Sequence, residues 1–321
     1  MFTPFSHQAS FSSLELSSLS KSKTSQFLEQ VNACIDWRRI EEMVKPMYCM
    51  DNGRPSIAPI ILVKGLLLEQ WYQLSDEALE EELKDRLSFR NFVGLASSQQ
   101  APDETTMVKF RNKLREHNLE ETLFTVITRL LREQHREIKQ GKVLLTDASI
   151  IESPYGKEPK GRDGNGDFVN YKGKEIVKGY KAHLVTNQRD GLAESAILTV
   201  ASCHESGFVE RAIEKVQGPV NAILADKGYA SDERKRAYRK QGIYCGILEK
   251  GRRNQLLSEK QQRKNKRLSK IRSAVERVFA VIKVHFGFSK VRYFGLRRNA
   301  GHLAIVLMAY NIQHAVLNPM T

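Results

Sequence analysis

Paired cysteines are missing from this sequence. Its four cysteines (Cys34, Cys49, Cys203 and Cys245) stand far apart, and no two form a Cys-x2-Cys pair. That spacing speaks against a zinc site and against a disulfide framework, and leaves buried thiols in a reducing cytoplasm. No apolar stretch comes near the roughly 20 residues that cross a bilayer, so no membrane span is expected. The Ser-rich opening "MFTPFSHQASFSSLELSSLSKSKTSQ" lacks the basic-then-apolar order of a secretory leader. Residues 1–25 are expected to be disordered. Acidic residues are also in short supply: 51 Lys and Arg face 37 Asp and Glu, a formal net charge of +14. The excess points to a polyanionic partner, nucleic acid or an anionic membrane surface. Apolar content is ample at 41% of 321 residues, which excludes global disorder and fits one large domain or two ordinary ones.

The positive charge is concentrated. From Arg234 to Arg272 there are fifteen Lys or Arg against two Glu, a net of +13. A solvated loop is the plain explanation of such a run. A membrane-binding helix would carry bulky apolar residues opposite the charges. The stretch "KGRRNQLLSEKQQRKNKRLSK" offers only Leu256, Leu257 and Leu268, so nucleic acid is the better partner.

Residues 26–140 read as helical throughout. "APIILVKGLLLEQWYQL" is apolar on most faces, as a buried helix is. Ser75 is placed to cap "DEALEEELKDRLSFRNFVGL", whose first turns are acidic. "PDETTMVKFRNKLREHN" follows a Ser/Gln/Pro break, and "NLEETLFTVITRLLREQHREIKQG" ends on Gly141. These helices suit either a helix-turn-helix module, with "TTMVKFRNK" as its reading helix, or an ordinary bundle.

After Gly141 the pattern changes. "KVLLTDASII", "VKGYKAHLVTN" and "LAESAILTVAS" read as strands, the last two joined by the turn signal "QRDG". "ESGFVERAIEKVQG" reads as a helix, "NAILADKGYA" as a strand, "SDERKRAYRKQG" as a helix and "IYCGILEK" as a strand. A long helix, "SKIRSAVERVFAVIKVHFGF", follows. The order predicts a mixed α/β sheet domain over 141–321. The Gly-rich "GKEPKGRDGNGDFVNYKGKE" between the first two strands reads as a mobile loop.

Three acids in this second region stand apart from the rest. At 100° per residue, Glu276 and Lys283 fall within about 40° of Arg272, while Val275, Val278 and Ile282 form a separate apolar stripe. The helix therefore packs on a sheet and holds Glu276 at its margin, unless Arg272 and Glu276 are merely an i,i+4 surface pair. Asp147 follows the buried run "KVLLT" and Asp226 follows "AILA", the strand ends where ligands bind in parallel sheets. Each alone is equally a turn-initiating Asp. Glu152 lies five residues past Asp147 and so on the opposite strand face. Asp232 and Glu233 open a helix, and Asp163 and Asp167 fall in the Gly-rich loop. Three carboxylates converging would repel unless cations neutralise them. Hard oxygen ligands select Mg²⁺ or Mn²⁺, and two such ions about 4 Å apart suit phosphodiester chemistry.

These blocks resemble a family. "LLTDASIIESP", "ILADKGYAS" and "RSAVERVFAVIK" with "GFSKVRYFG" are similar to the three catalytic blocks of bacterial insertion-sequence transposases of the Asp-Asp-Glu type. Within that type they look like the large group numbered insertion-sequence family five, a relative of family four. "LLLEQWYQLSDEALEEELKDRLSFRNFVGL" with "PDETTMVKFRNKL" resembles their helical N-terminal domain, and "KGYKAH" their second strand. The resemblance runs from about residue 50 to the end. The relatives' Tyr-x2-Arg-x3-Glu-x6-Lys signature is met by Arg272, Glu276 and Lys283, with Ser269 at the Tyr position.

The resemblance implies a ribonuclease-H-like catalytic domain behind an all-α N-terminal DNA-binding domain. It implies Asp147, Asp226 and Glu276 as catalytic metal ligands, Asp147 bridging two Mg²⁺ (or Mn²⁺) ions. The partner is double-stranded DNA: the terminal inverted repeats are bound and cleaved, and the freed 3′ hydroxyl is joined to target DNA. Holding two ends implies a homodimer or larger assembly. Arg272 and Lys283 are expected at phosphates near the cut, with Lys178, Lys181, Lys227, Arg252, Arg253 and Arg292 as wider DNA contacts. His183 and His204 are candidates for proton transfer. Two alternatives are a non-catalytic DNA-binding regulator and a domesticated nuclease of the same fold.

Overall fold

The computed structural model describes residues 22–48, 57–96, 98–134, 142–154, 166–171, 175–204, 207–251 and 256–318. The chain divides into two compact units, one of residues 1–136 with 304–321 and one of residues 137–303.

The first unit is helical. Its described helices begin with α1 (Lys23–Ala33), α2 (Trp37–Val44), α3 (Pro59–Tyr72) and α4 (Asp76–Asp85). They continue with α5 (Leu87–Val93), α6 (Glu104–Glu116) and α7 (Leu119–Gln134). As its all-round apolar composition predicts, α3 is the core element, buried at every residue from Pro59 to Gln70. Its polar groups are matched inside. Lys64 donates to the Phe92 carbonyl at 3.1 Å, and Glu69 accepts two 3.0 Å bonds from Arg111 of α6. Ser75 caps α4 as expected, accepting from the Ala78 N–H at 3.0 Å.

The helix read through residues 76–95 is broken at Arg86, whose backbone is extended. The Arg90 guanidinium accounts for the break: it donates to the Leu83 carbonyl at 2.9 Å, in place of a helical N–H, and also reaches the Gln99 carbonyl at 2.8 Å beyond the helix. Residues 94–103 separate α5 from α6, too many for the brief turn of a helix-turn-helix.

The last helix, α11 (Leu296–Leu317), is an element the sequence reading did not identify. It is long and apolar enough to cross a membrane, contrary to the reading that no such stretch exists, but most of it is buried within the fold. Its residues from Ala304 onward belong to the first unit, although sequence placed them in the second domain. There the Ala309 carbonyl accepts from Trp71 Nε1 at 3.1 Å, and Asn311, fully buried, donates to Thr128 Oγ1 at 2.8 Å.

The second unit is built on one mixed sheet. Its strands are β1 (Lys142–Glu152), β2 (Asp167–Tyr171), β3 (Glu175–Asn187), β4 (Ala193–Val200), β5 (Val220–Ala225) and β6 (Tyr244–Ile247). The long β3 pairs antiparallel with β1 along one edge, and with β2 and then β4 along the other. On the far side of β1, β5 and β6 add in parallel. The β3–β4 hairpin turns through Gly191 at φ +69°, where "QRDG" placed it. Gly179 sits where β3 meets β1 so closely that a Cβ would lie 2.2 Å from the Ile151 carbonyl oxygen.

The stretch read as a mobile loop contains β2. Residues 167–171 pair with 175–179 because β3 extends beyond β4 and leaves an edge for them. Helices cover both faces of the sheet. One face packs Leu144, Val185 and Ile223 against Ala212 of α8 (Val209–Glu214) and Tyr238 of α9 (Asp232–Lys240). The other carries α10 (Glu259–Val284), whose Val275, Val278 and Ile282 are buried as the helical stripe predicts.

Candidate active site

Asp147 and Asp226 stand side by side. The parallel register pairs Leu144 with Ile223 and Leu145 with Leu224. Continued by two residues, it sets Asp147 level with Asp226, on strands about 4.8 Å apart. Asp226 follows directly on the last residue of β5, and Asp147 lies beyond the last β1 residue that β5 pairs. Neighbouring carboxylates need a cation, and Arg272 of α10 supplies it. Its two Nη atoms lie 3.2 Å from Asp147 Oδ2 and 3.6 Å from Asp226 Oδ1.

The i,i+4 pairing of Arg272 with Glu276 does not form. Arg272 is buried at 6% exposure and turned to the two aspartates. Glu276 is exposed and, among the described residues, makes no ion pair or hydrogen bond. It lies one helical turn past Arg272, about 6 Å along the axis. Farther on, Lys283 Nζ donates to the Ile150 carbonyl at 2.6 Å. Arg272 at Asp147 and Lys283 at Ile150 tether α10 along β1, with Glu276 between the tethers.

The donors suit a hard divalent cation in kind: carboxylate oxygens from mid-β1 and from the residue after β5, and an unpartnered Glu on the adjacent helix. They are not drawn together, however. Among the described residues no three Asp, Glu, His or Cys side chains form a metal-ready group. The aspartate pair is instead bridged by one guanidinium, which offsets part of its charge.

The other expected site residues fall into three sets. Lys227, in the turn after Asp226, is exposed, and Arg292 is half-buried with its guanidinium 5.8 Å from the Tyr293 ring centre. Lys178 and Lys181 are buried, the first facing the Phe168 ring at 5.7 Å and the second donating to the Cys203 carbonyl at 2.8 Å. Arg252 and Arg253 lie outside the described residues, as do Asp163 and Gly141.

His183 is paired with Ala148 and so shares the sheet face opposite Asp147. Its ring stacks on Phe208 with centres 5.0 Å apart, its Nε2 meets Thr199 Oγ1 at 3.0 Å, and burial pushes its pKa down to about 4. It is placed as a neutral core histidine. His204 is exposed beyond β4. Glu152 is exposed on the face opposite Asp147, as strand alternation requires. Asp167, dismissed as loop, is held in β2 by hydrogen bonds from Ser202 and from the Phe168 N–H at 2.7 Å, which lower its pKa.

The exposed face of α10 carries further cations beyond those expected from the sequence. Lys266, Arg267, Lys270 and Arg277 are all exposed there and have no acidic partner among the described residues. At 1.5 Å per residue they span about 16 Å of axis, on the side of the helix turned away from Arg272. Nearby cations are spent internally: Lys235 and Lys264 flank Glu249 at 2.8 and 3.4 Å, and Arg234 pairs with Glu210. The signal for the free face was the 3- and 4-residue spacing of the basic run.

A family model described as "Transposase DDE domain" matches residues 138–312, more than half of the chain. The chain belongs to the DDE transposase domain family. A second model, "Transposase domain (DUF772)", matches residues 16–113. The mixed sheet, antiparallel on one side of β1 and parallel on the other, is the ribonuclease-H-like arrangement of this family. Among solved structures, the piggyBac transposase in a cryo-EM synaptic complex with hairpin DNA is 10% identical, with a TM-score of 0.42. That match covers 91% of this chain and 74% of the other. At that distance the likeness assigns nothing to individual residues.

Proposed function

We propose that this DDE transposase binds the terminal inverted repeats of a bacterial mobile element, cleaves there and joins the 3′ hydroxyl to target DNA. The observation that carries the reading is the level pairing of Asp147, mid-way along β1, with Asp226 just past the end of β5, under a helix that presents Glu276 unpartnered. Insertion-sequence family five is compatible with both family matches.

Each residue has a definite task in this reading. Asp147, Asp226 and Glu276 would hold Mg²⁺ or Mn²⁺, two ions per site. Such ions would supply the charge that activates an attacking oxygen and stabilises a leaving one. The fold keeps the aspartates level, and the tethers at Arg272 and Lys283 set the helix that carries Glu276. Lys227 and the α10 cations Lys266, Arg267, Lys270 and Arg277 take backbone phosphates, which makes affinity steeply salt-dependent. Water and then the 3′ hydroxyl serve as nucleophiles, so no side chain bonds covalently to DNA. Two ends held together require at least two copies of the chain, working in the bacterial cytoplasm.

The test uses purified protein, Mg²⁺ and DNA carrying the element's own ends. Asp147→Asn, Asp226→Asn and Glu276→Gln should each abolish strand cleavage while leaving DNA retention in a mobility-shift assay within about twofold, well under 1 kcal/mol. Ordinary cutting by any of the three would remove that residue from the site.

A further inference from the structure

We propose that Arg272 is the resident counter-ion of the Asp147–Asp226 pair, which a divalent cation must displace and which a DNA phosphate then receives. The proposal rests on the reading of these aspartates as metal ligands. It adds a coupling: metal loading and DNA binding compete for, or release, one guanidinium.

Four observations support it. First, the guanidinium occupies the ground between the carboxylates, 3.2 Å from one and 3.6 Å from the other. A cation bridging Asp147 and Asp226 meets the same oxygens, so the two positive groups exclude each other by repulsion as well as by volume.

Second, Arg272 is held loosely for a buried arginine. Neither contact meets hydrogen-bond geometry among the described residues, and its Nε is buried with no acceptor. Displacement therefore sacrifices two ion pairs and relieves one unsatisfied donor.

Third, the charges do not balance. One guanidinium faces two aspartates, and the unpartnered Glu276 lies one turn along the same helix. The residual negative charge draws a divalent ion that a single Arg cannot fully replace.

Fourth, an exit exists. Asp226 has 40% of its side chain exposed, so the pair opens to solvent on that side. A guanidinium leaving the aspartates gains a bidentate phosphate there. Without DNA it has no such destination, and metal uptake is opposed.

By reciprocity, whatever factor DNA adds to metal affinity through this residue, metal adds to DNA affinity.

The test is Mn²⁺ binding by the intact protein without DNA, read by electron paramagnetic resonance of the free ion, for wild type and Arg272→Gln. The variant should bind Mn²⁺ about tenfold or more tightly, equivalent to about 1.4 kcal/mol of removed competition. Equal or weaker binding overturns the proposal. Should the variant fold poorly, the unaltered protein carries the test through the ¹⁵Nε resonance of Arg272, assigned by its absence in Arg272→Lys. That resonance should move when Mg²⁺ is added, alone or with end DNA. If it stays fixed at Mg²⁺ levels that displace bound Mn²⁺, the proposal also fails. Should Arg272→Gln bind no more tightly while Asp147→Asn still abolishes cleavage, the counter-ion role fails and the metal-ligand reading stands. If neither protein takes up Mn²⁺ even with DNA, both fail.

Discussion

Each unit of this chain buries one arginine between two acids, and the two are built differently. In the helical unit, Arg111 lies between Glu69 and Asp76, with two 3.0 Å hydrogen bonds to Glu69 and a short one to Asp76. The Glu69 side chain is 1% exposed. In the sheet unit, Arg272 spans Asp147 and Asp226 at 3.2 and 3.6 Å, and those side chains are 20% and 40% exposed. Arg111 is a clamp: it locks α6 to α3 and α4 through full hydrogen bonds, with Glu69 closed to water and Asp76 20% exposed. Arg272 is a place-holder, imperfectly bonded and open on one side. Fixed structure and a working site are distinguished here by hydrogen-bond completeness and solvent access, not by residue type.

The sharpest way to break that comparison is to remove each arginine. Arg111→Ala strands a buried carboxylate and should lower the unfolding free energy by about 3–5 kcal/mol. Arg272→Gln leaves carboxylates that water can reach, and should cost less than about 2 kcal/mol. Urea denaturation followed by circular dichroism measures both. Equal losses would mean that Arg272 is a structural clamp like Arg111.

A smaller effect sharpens the contrast with a third acid. Glu249 is flanked by Lys235 and Lys264, and the Lys235 hydrogen bond, with both lysine charges, lowers its pKa from the ordinary 4.5. A carboxylate with a depressed folded pKa contributes stability at neutral pH that is lost as pH falls below 4.5 toward the folded value. Glu249→Gln should therefore cost under about 1 kcal/mol at pH 7 and flatten the acid limb of the stability curve. An unchanged acid limb would show that the half-buried lysines leave Glu249 unperturbed.

How much of this was legible beforehand depended on whether the signal was local. The period of Val275, Val278 and Ile282 declares a sheet-packed helix, and the apolar run before Asp226 declares a strand end; the run before Asp147 declares a strand but not its end, because β1 goes on to Glu152 along β3. Ser75 announces a helix start by its chemistry alone. The partner of Arg272 was not legible, because a helical projection shows only the neighbour four residues on, Glu276, and not the aspartates brought up by β1 and β5. Lys178 and Lys181 read as surface cations; only the packing of Phe168 and the turn carrying the Cys203 carbonyl hide them. Strand β2 was masked by its Gly-rich setting, since its partner is the overhanging edge of β3 and not a pattern of its own. The helix α11 lacked a stripe because it is apolar on nearly every side. The break at Arg86 depends on a guanidinium four residues later taking over a helical carbonyl.

The most direct measurement is anomalous diffraction from Mn²⁺ in crystals of the chain bound to its element's end DNA. Manganese should appear ligated by Asp147, Asp226 and Glu276, with the Arg272 guanidinium moved from the aspartates to a backbone phosphate. Manganese elsewhere, or Arg272 still seated between the two carboxylates, would contradict the account.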